Sequence, residues 1–185
     1  MPDNTWSRSK SVLMLAVAVT LALMWLMWLA QGKLEKNGFN ALHWRPIPAR
    51  YLARAAALGV LAASAAFWLF RSYARAVPAF QEVWMGITLG PLLEELVFRG
   101  YLFWGVHWFL RRFISQSGWL TVVVIAAVFA LSHFAKPGIT HSQIASVFGT
   151  GLLYGWLRLK SDSTVPPVFA HTSYNATIFL AATLL

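Results

Sequence analysis

The sequence predicts an all-α integral membrane protein, a bundle of about six transmembrane helices enclosing an intramembrane polar cavity. Three observations predict it. Of 185 residues, 58% are hydrophobic and 11% charged, and the mean hydropathy is +0.59, a balance that a soluble domain of this size could not carry on its surface. The apolar residues gather into runs close to the roughly 20 residues that cross a bilayer. Two adjacent glutamates, Glu94 and Glu95, lie in the middle of one such run, where an ionised side chain costs about 2.5–3.5 kcal/mol and is kept for pairing or for function.

The same composition removes other classes. The net charge is +9, yet the 15 Lys and Arg are scattered between apolar runs rather than forming the stripe or patch that nucleic acid demands. Loops that follow the positive-inside rule account for the excess more simply. Cysteine is absent, which excludes disulfides, a thiolate nucleophile and Cys-ligated metal. The length suits one structural unit, in which residues 1–82 supply N-terminal helices and loops and residues 83–185 form the helical core that carries the polar groups.

Taken in order, the first apolar run extends from Ser11 to Ala30 behind Arg8 and Lys10. It exceeds the roughly 7–15 residues of a signal-peptide core and has no small-x-small cleavage site after it, so it predicts a retained membrane anchor. The second run, Ala55 to Phe70, is short and can begin as early as Tyr51. The third is Val83 to Leu110, with Pro91 expected to kink or loosen the helix just before the glutamates. Phe113 to Ala135, Gly138 to Leu157 and Val165 to Leu185 follow. Charged, Pro or Gly clusters such as Arg45-Pro46-Ile47-Pro48, Arg111-Arg112 and Lys136-Pro137-Gly138 punctuate the runs. Ten Trp residues lie mostly toward segment ends, where indole suits the headgroup region. Gly149, Gly151 and Gly155 in the fifth run allow close helix approach.

With six crossings, Arg8, Lys10, Arg71, Arg75 and Lys136 fall on one side of the membrane. Lys33, Lys36, Arg45, Arg50, Arg54, Arg111, Arg112, Arg158 and Lys160 fall on the other. That excess places both termini outside the cytoplasm, although Arg8 and Lys10 pull the other way.

Helical geometry separates the two glutamates. Neighbours point about 100° apart, whereas residues four apart share a face. Glu95 therefore aligns with Arg99, in the order that favours an i to i+4 ion pair, and Glu94 remains the unpaired acid. Taken alone, Glu94, Glu95 and Arg99 also read as a buried salt-bridge network that fixes packing. Other runs add His133, at the end of Phe129-Ala130-Leu131-Ser132-His133, and His171 with Asn175, four apart on the last helix. One intramembrane His is ordinarily a helix-to-helix hydrogen-bond partner; three apolar runs each supplying part of a Glu/His/His/Asn set point to a shared site. His43, His107 and His141 lack such company and are left out of it.

The string Glu94-Glu95-Leu96-Val97-Phe98-Arg99-Gly100 resembles the Glu-Glu-x-x-x-Arg motif of the CAAX-protease and bacteriocin-processing (CPBP) family. Phe129-x-x-x-His133 and His171-x-x-x-Asn175 resemble its second and third motifs, in the family's order. The resemblance covers Pro91 to Asn175; residues 1 to 80 offer no comparable signature. It implies a multi-pass protein of a bacterial plasma membrane that hydrolyses a peptide bond of a lipidated or membrane-associated protein. It further implies that Glu94 is the general base, that His133 positions the attacking water and that His171 and Asn175 stabilise the oxyanion, with Glu95 and Arg99 in support.

That chemistry is coherent, because a carboxylate in a water-poor pocket is a better base toward water, and preorganised donors there are strengthened. No cofactor is expected. The alternative is a divalent metal held by Glu94, His133 and His171, since one carboxylate and two imidazoles can leave an open water position. Two functions of other classes compete with proteolysis: a non-enzymatic peptide-binding or bacteriocin-immunity protein, and a proton-coupled carrier, as buried Glu and His also mark proton paths. One expectation conflicts with a shared site. If the fifth run spans fully, His133 and His171 lie on the order of 15 Å apart in depth.

Overall fold

The computed structural model describes residues 5–37, 40–70, 80–136 and 138–184, and every regular element among them is helical. The chain divides into two compact units, Met1–Asn40 and Ala41–Leu185. The first is a single helix, α1 (Thr5–Lys36), which continues past the apolar run at both ends. Lys33 and Lys36 in its last turn complement the negative end of the helix dipole. Gln31 Nε2 donates to Glu35 Oε1 at 2.7 Å and to Asn40 Oδ1 at 3.3 Å, and the Asn37 amide closes the end on the Lys33 carbonyl.

The second unit contains α2 (Ala49–Phe70), α3 (Phe80–Ile87), α4 (Leu89–Glu95), a π-helical stretch (Leu96–Leu102) and α5 (Phe103–Leu110). After these come α6 (Ser117–Ser132), which ends in a 3-10 turn (His133–Ala135), then α7 (His141–Ser161) and α8 (Val165–Leu184). Helix α8 is the hub and packs against α2, α7, α3 and α4, while α6 packs along α7. Arg71 and Arg75, used in the charge count, lie outside the described residues.

Helix α2 begins six residues before the apolar run because Arg50, Tyr51 and Arg54 form its first turns, polar residues that hide a helix start from hydropathy alone. The third run is one path of interrupted helix. Its break falls at Thr88 (φ −121°, ψ −88°), whose hydroxyl donates to the Trp84 carbonyl at 2.6 Å. Pro91 then sits in the first turn of α4, where a missing N–H leaves no intrahelical bond unmade. The widened π-helical stretch follows directly and carries Arg99, the kind of irregularity that recurs at functional sites.

Small residues set the close packing. A Cβ on Gly151 would come within 3.1 Å of Ala126 Cα, and one on Gly155 within 2.9 Å of Val122 Cγ1, so α6 and α7 touch through bare backbone. Gly149, expected to share that seam, faces open space. On the other side of the unit a Cβ on Gly59 would collide with the Ala170 carbonyl, which fixes α2 against α8.

Among the described residues two helices are long and apolar enough to cross a membrane, Ala49–Leu69 and Ser117–Ala135. Much of their apolar surface faces outward: Leu61, Trp68 and Leu131 are 65%, 71% and 62% exposed. A core helix of a soluble protein would bury such side chains, whereas lipid accepts them.

The turn between α7 and α8 is tied to the segment that leads into α2. Asp162 caps α7 in the left-handed region (φ 48°) and its carboxylate lies within ion-pair distance of Arg45 Nη1 at 2.9 Å, His43 Nδ1 at 3.0 Å and Arg158 Nη1 at 3.2 Å. The Thr164 hydroxyl and N–H donate to the carbonyls of Leu42 and His43, and Ser163 Oγ donates to that of Arg45. Arg158 is 4% exposed, so this cation, counted above as a loop charge, belongs to the packed interior and adds nothing to a surface charge bias.

Candidate active site

A cavity of about 410 Å³ opens between α4, α6, α7 and α8. One face of α7 forms a wall of it through Gln143, Val147, Thr150 and Tyr154, residues spaced three or four apart that share a helical face and span roughly 16 Å of helix at 1.5 Å per residue. The cavity is thus long rather than round. Glu94, His133, His171 and Asn175 all line it, together with Phe129.

The conflict in depth between His133 and His171 disappears in this geometry. Both imidazoles pack edge-on against Phe129, with ring centroids at 4.8 and 6.0 Å from that ring, so their separation falls well short of the roughly 15 Å that full spans imply. Termination of α6 at Ser132, with His133 opening the 3-10 turn, and the start of α8 six residues before His171 bring the two rings to the sides of one phenyl group.

Each side chain has defined partners. His133 Nδ1 donates to the Phe129 carbonyl at 2.9 Å, which leaves Nε2 as the nitrogen able to accept. His171 Nδ1 donates to Glu95 Oε1 at 2.8 Å, and its Nε2 lies 4.0 Å from Glu94 Oε2. The His171 ring stacks on Tyr154 at 4.9 Å. Asn175 Nδ2 donates to the Gly86 carbonyl at 2.7 Å and so ties α8 to α3; an amide carries two such protons, one of which remains for the cavity.

The adjacent glutamates have separate surroundings. Glu95 is fully buried, does not line the cavity, and on one oxygen accepts from both His171 and Arg99 Nη1, the latter at 3.1 Å. The i to i+4 pair is therefore present, and it is also a His-orienting pair, which face geometry alone did not indicate. Glu94 lines the cavity, and its buried Oε2 accepts no hydrogen bond among the described residues. The second oxygen of Glu95 is likewise unpaired, but within closed packing.

Arg99 is fully buried. Its Nη2 donates to the Gly151 carbonyl at 3.1 Å, and its guanidinium lies 4.4 Å from the Phe129 centroid and 5.2 Å from that of Tyr154. Cation–π contact of this kind stabilises a desolvated arginine by about 2 kcal/mol. Arg158 Nε in turn donates to the Arg99 carbonyl at 3.0 Å. Phe129, named in the sequence only as part of a motif, joins the site through its ring, and Tyr154 and Arg158 join it from α7. Phe129 was visible four residues before His133, whereas Tyr154 and Arg158 carry no signal until α7 is docked.

Among the described residues no group of three or more His, Asp or Glu side chains is placed to hold a metal ion. A family model described as type II CAAX prenyl endopeptidase Rce1-like matches residues 76–177, a span that is more than half of the chain and contains all of the residues considered above for chemistry. No curated protein and no solved structure matches the chain.

Proposed function

The chain belongs to the Rce1-like family of type II CAAX prenyl endopeptidases, and from that premise we propose that it is a multi-pass intramembrane endopeptidase of the glutamate type. In this reading α1, α2, the interrupted third run, α6, α7 and α8 make about six crossings, in a bacterial plasma membrane. Residues 83–185 form the catalytic core, and residues 1–82 supply N-terminal helices and loops. The substrate is a membrane-tethered protein ending in a prenylated CAAX segment. Membership in a protease family supports hydrolysis in general; the assignment of roles rests on the cavity.

The observation that carries the mechanism is the buried Glu94 Oε2, free of protein donors, in the same cavity as His133, His171 and Asn175. Water in that cavity donates one proton toward Glu94 and the other toward His133 Nε2, the nitrogen left as acceptor when Nδ1 is committed to the Phe129 carbonyl. Glu94 takes the proton as the water oxygen attacks the scissile carbonyl carbon. The resulting oxyanion is stabilised by Asn175 Nδ2 and by His171, whose ring Glu95 orients through Nδ1. Collapse of the tetrahedral intermediate breaks the C–N bond, and Glu94 returns its proton to the leaving amine. Glu95 and Arg99 are positioning residues: they fix His171 and do not touch substrate.

The test is cleavage of a prenylated CAAX peptide by the purified chain in liposomes. Cleavage is expected, and it is expected to persist after exhaustive treatment with a chelator. Loss on chelation with recovery on adding zinc moves the site to the metal reading, in which Glu94, His133 and His171 would be ligands. Tight peptide binding without cleavage at any stage supports the non-enzymatic alternative instead.

A further inference from the structure

A second groove, of about 420 Å³, lies on the second unit and shares no lining residue with the cavity. It runs between the first half of α2 and the last turns of α7. Its walls are mostly apolar, including Ile47, Leu58, Trp156 and Pro166, and its cationic lining residues are Arg54 and Lys160, with no carboxylate among those that line it.

Arg50 and Arg54 both lie over the ring of Tyr51, at 5.2 and 5.7 Å from its centroid, so two like charges share one phenol. No ion pair among the described residues joins Arg50, Arg54 or Lys160 to a carboxylate. Asp162, the acid closest in sequence to Lys160, is already taken by His43, Arg45 and Arg158. Among the described residues this cluster has no carboxylate partner.

The position along α2 says where an anion comes from. Arg50 and Arg54 stand in the first two turns of a helix whose span Ala49–Leu69 is long and apolar enough to cross a membrane, which is the level of lipid headgroups. Leu58 lies about 6 Å deeper than Arg54 at 1.5 Å per residue, at the level of acyl chains. Lys160, in the last turn of the neighbouring α7, returns to the headgroup level. An anionic head above an apolar slot is the outline of a phospholipid.

We propose that this groove is a binding site for an anionic glycerophospholipid, with its phosphate held by Arg54 and Lys160 and an acyl chain laid along Leu58 and Trp156. The proposal rests on membrane insertion of α2 and not on catalysis in the cavity, so either can fail without the other. Arginine and lysine together supply a forked donor and a mobile point charge for phosphate, and the apolar wall discriminates lipid from a free ion.

Native mass spectrometry of the full chain, released from nanodiscs of mixed phosphatidylglycerol and phosphatidylcholine, tests it. The expected result is preferential retention of phosphatidylglycerol, reduced about tenfold by Arg54→Gln with Lys160→Gln and restored by the charge-preserving Arg54→Lys with Lys160→Arg. Lys160→Gln alone, at an exposed position, is expected to give part of the loss. Equal retention of the two lipids, unchanged retention in both Gln variants, or displacement of phosphatidylglycerol by millimolar inorganic phosphate overturns it.

Discussion

Glu95 Oε1 holds His171 and Arg99 together at 2.8 and 3.1 Å in a fully buried setting, so its removal strands a guanidinium that no water can reach. Breaking a buried pair from one side costs about 3–5 kcal/mol. Glu95→Ala is therefore expected to lower Tm in detergent by many degrees and to weaken cleavage through misplacement of His171. A variant that melts like the native chain would contradict the role given to Glu95. The separation of Glu94 from Glu95 was legible in the sequence, because helical spacing alone directs Glu95 and not Glu94 to Arg99. The contact from Glu95 to His171 was not legible, since it joins residues 76 apart and depends on how α8 docks. The same holds for Tyr154, an ordinary aromatic of an apolar helix until it stacks on His171 and lies over Arg99.

Helix boundaries were read to within a turn or so wherever Pro, Gly or a charge cluster marks them, as at Val165, where α8 begins. The match is looser where polar residues belong to the helix, although a start at Tyr51 falls within two residues of the observed one. Arg50 and Arg54 extend α2 toward its N-terminus, and Arg158 turns inward from the last turns of α7. The π-helical stretch carrying Arg99 has no sequence marker, because widening a helix by one residue changes no residue type. The turn joining α7 to α8 has its own consequence. Burial lowers the pKa of His43 from 6.5, the Arg158 guanidinium lowers it further, and the opposing pull of Asp162 does not offset both. The folded turn thus binds a proton less readily than the unfolded chain. Its stability contribution is complete above pH 6.5 and is lost as pH falls through the folded value. Tm is expected to decline on acidification below pH 6.5, and His43→Gln to flatten that part of the profile; an identical slope in the variant would remove His43 from the account.

At the scale of the whole molecule, two units differ in kind: a lone helix, α1, and a bundle in which α8 gathers α2, α3, α4 and α7. The all-helical class follows from composition and run length, and outward-facing apolar side chains on α2 and α6 agree with a lipid surround. The long cavity along α7 could not be anticipated from run boundaries, which set His133 and His171 too far apart; helix ends within a few residues of each histidine and one shared phenyl ring remove the gap. In this arrangement Glu94 lines the cavity with His133, His171 and Asn175, and its Oε2 accepts no hydrogen bond among the described residues. The central claim is that Glu94 is the base that activates the attacking water. The direct measurement is the single-turnover cleavage rate of a prenylated CAAX peptide by Glu94→Gln in liposomes, alongside its Tm. The expected result is a rate lower by about 100- to 10,000-fold, the range of general-base catalysis, with Tm within a few degrees of the native chain. Cleavage at the native rate by the folded variant would contradict the claim.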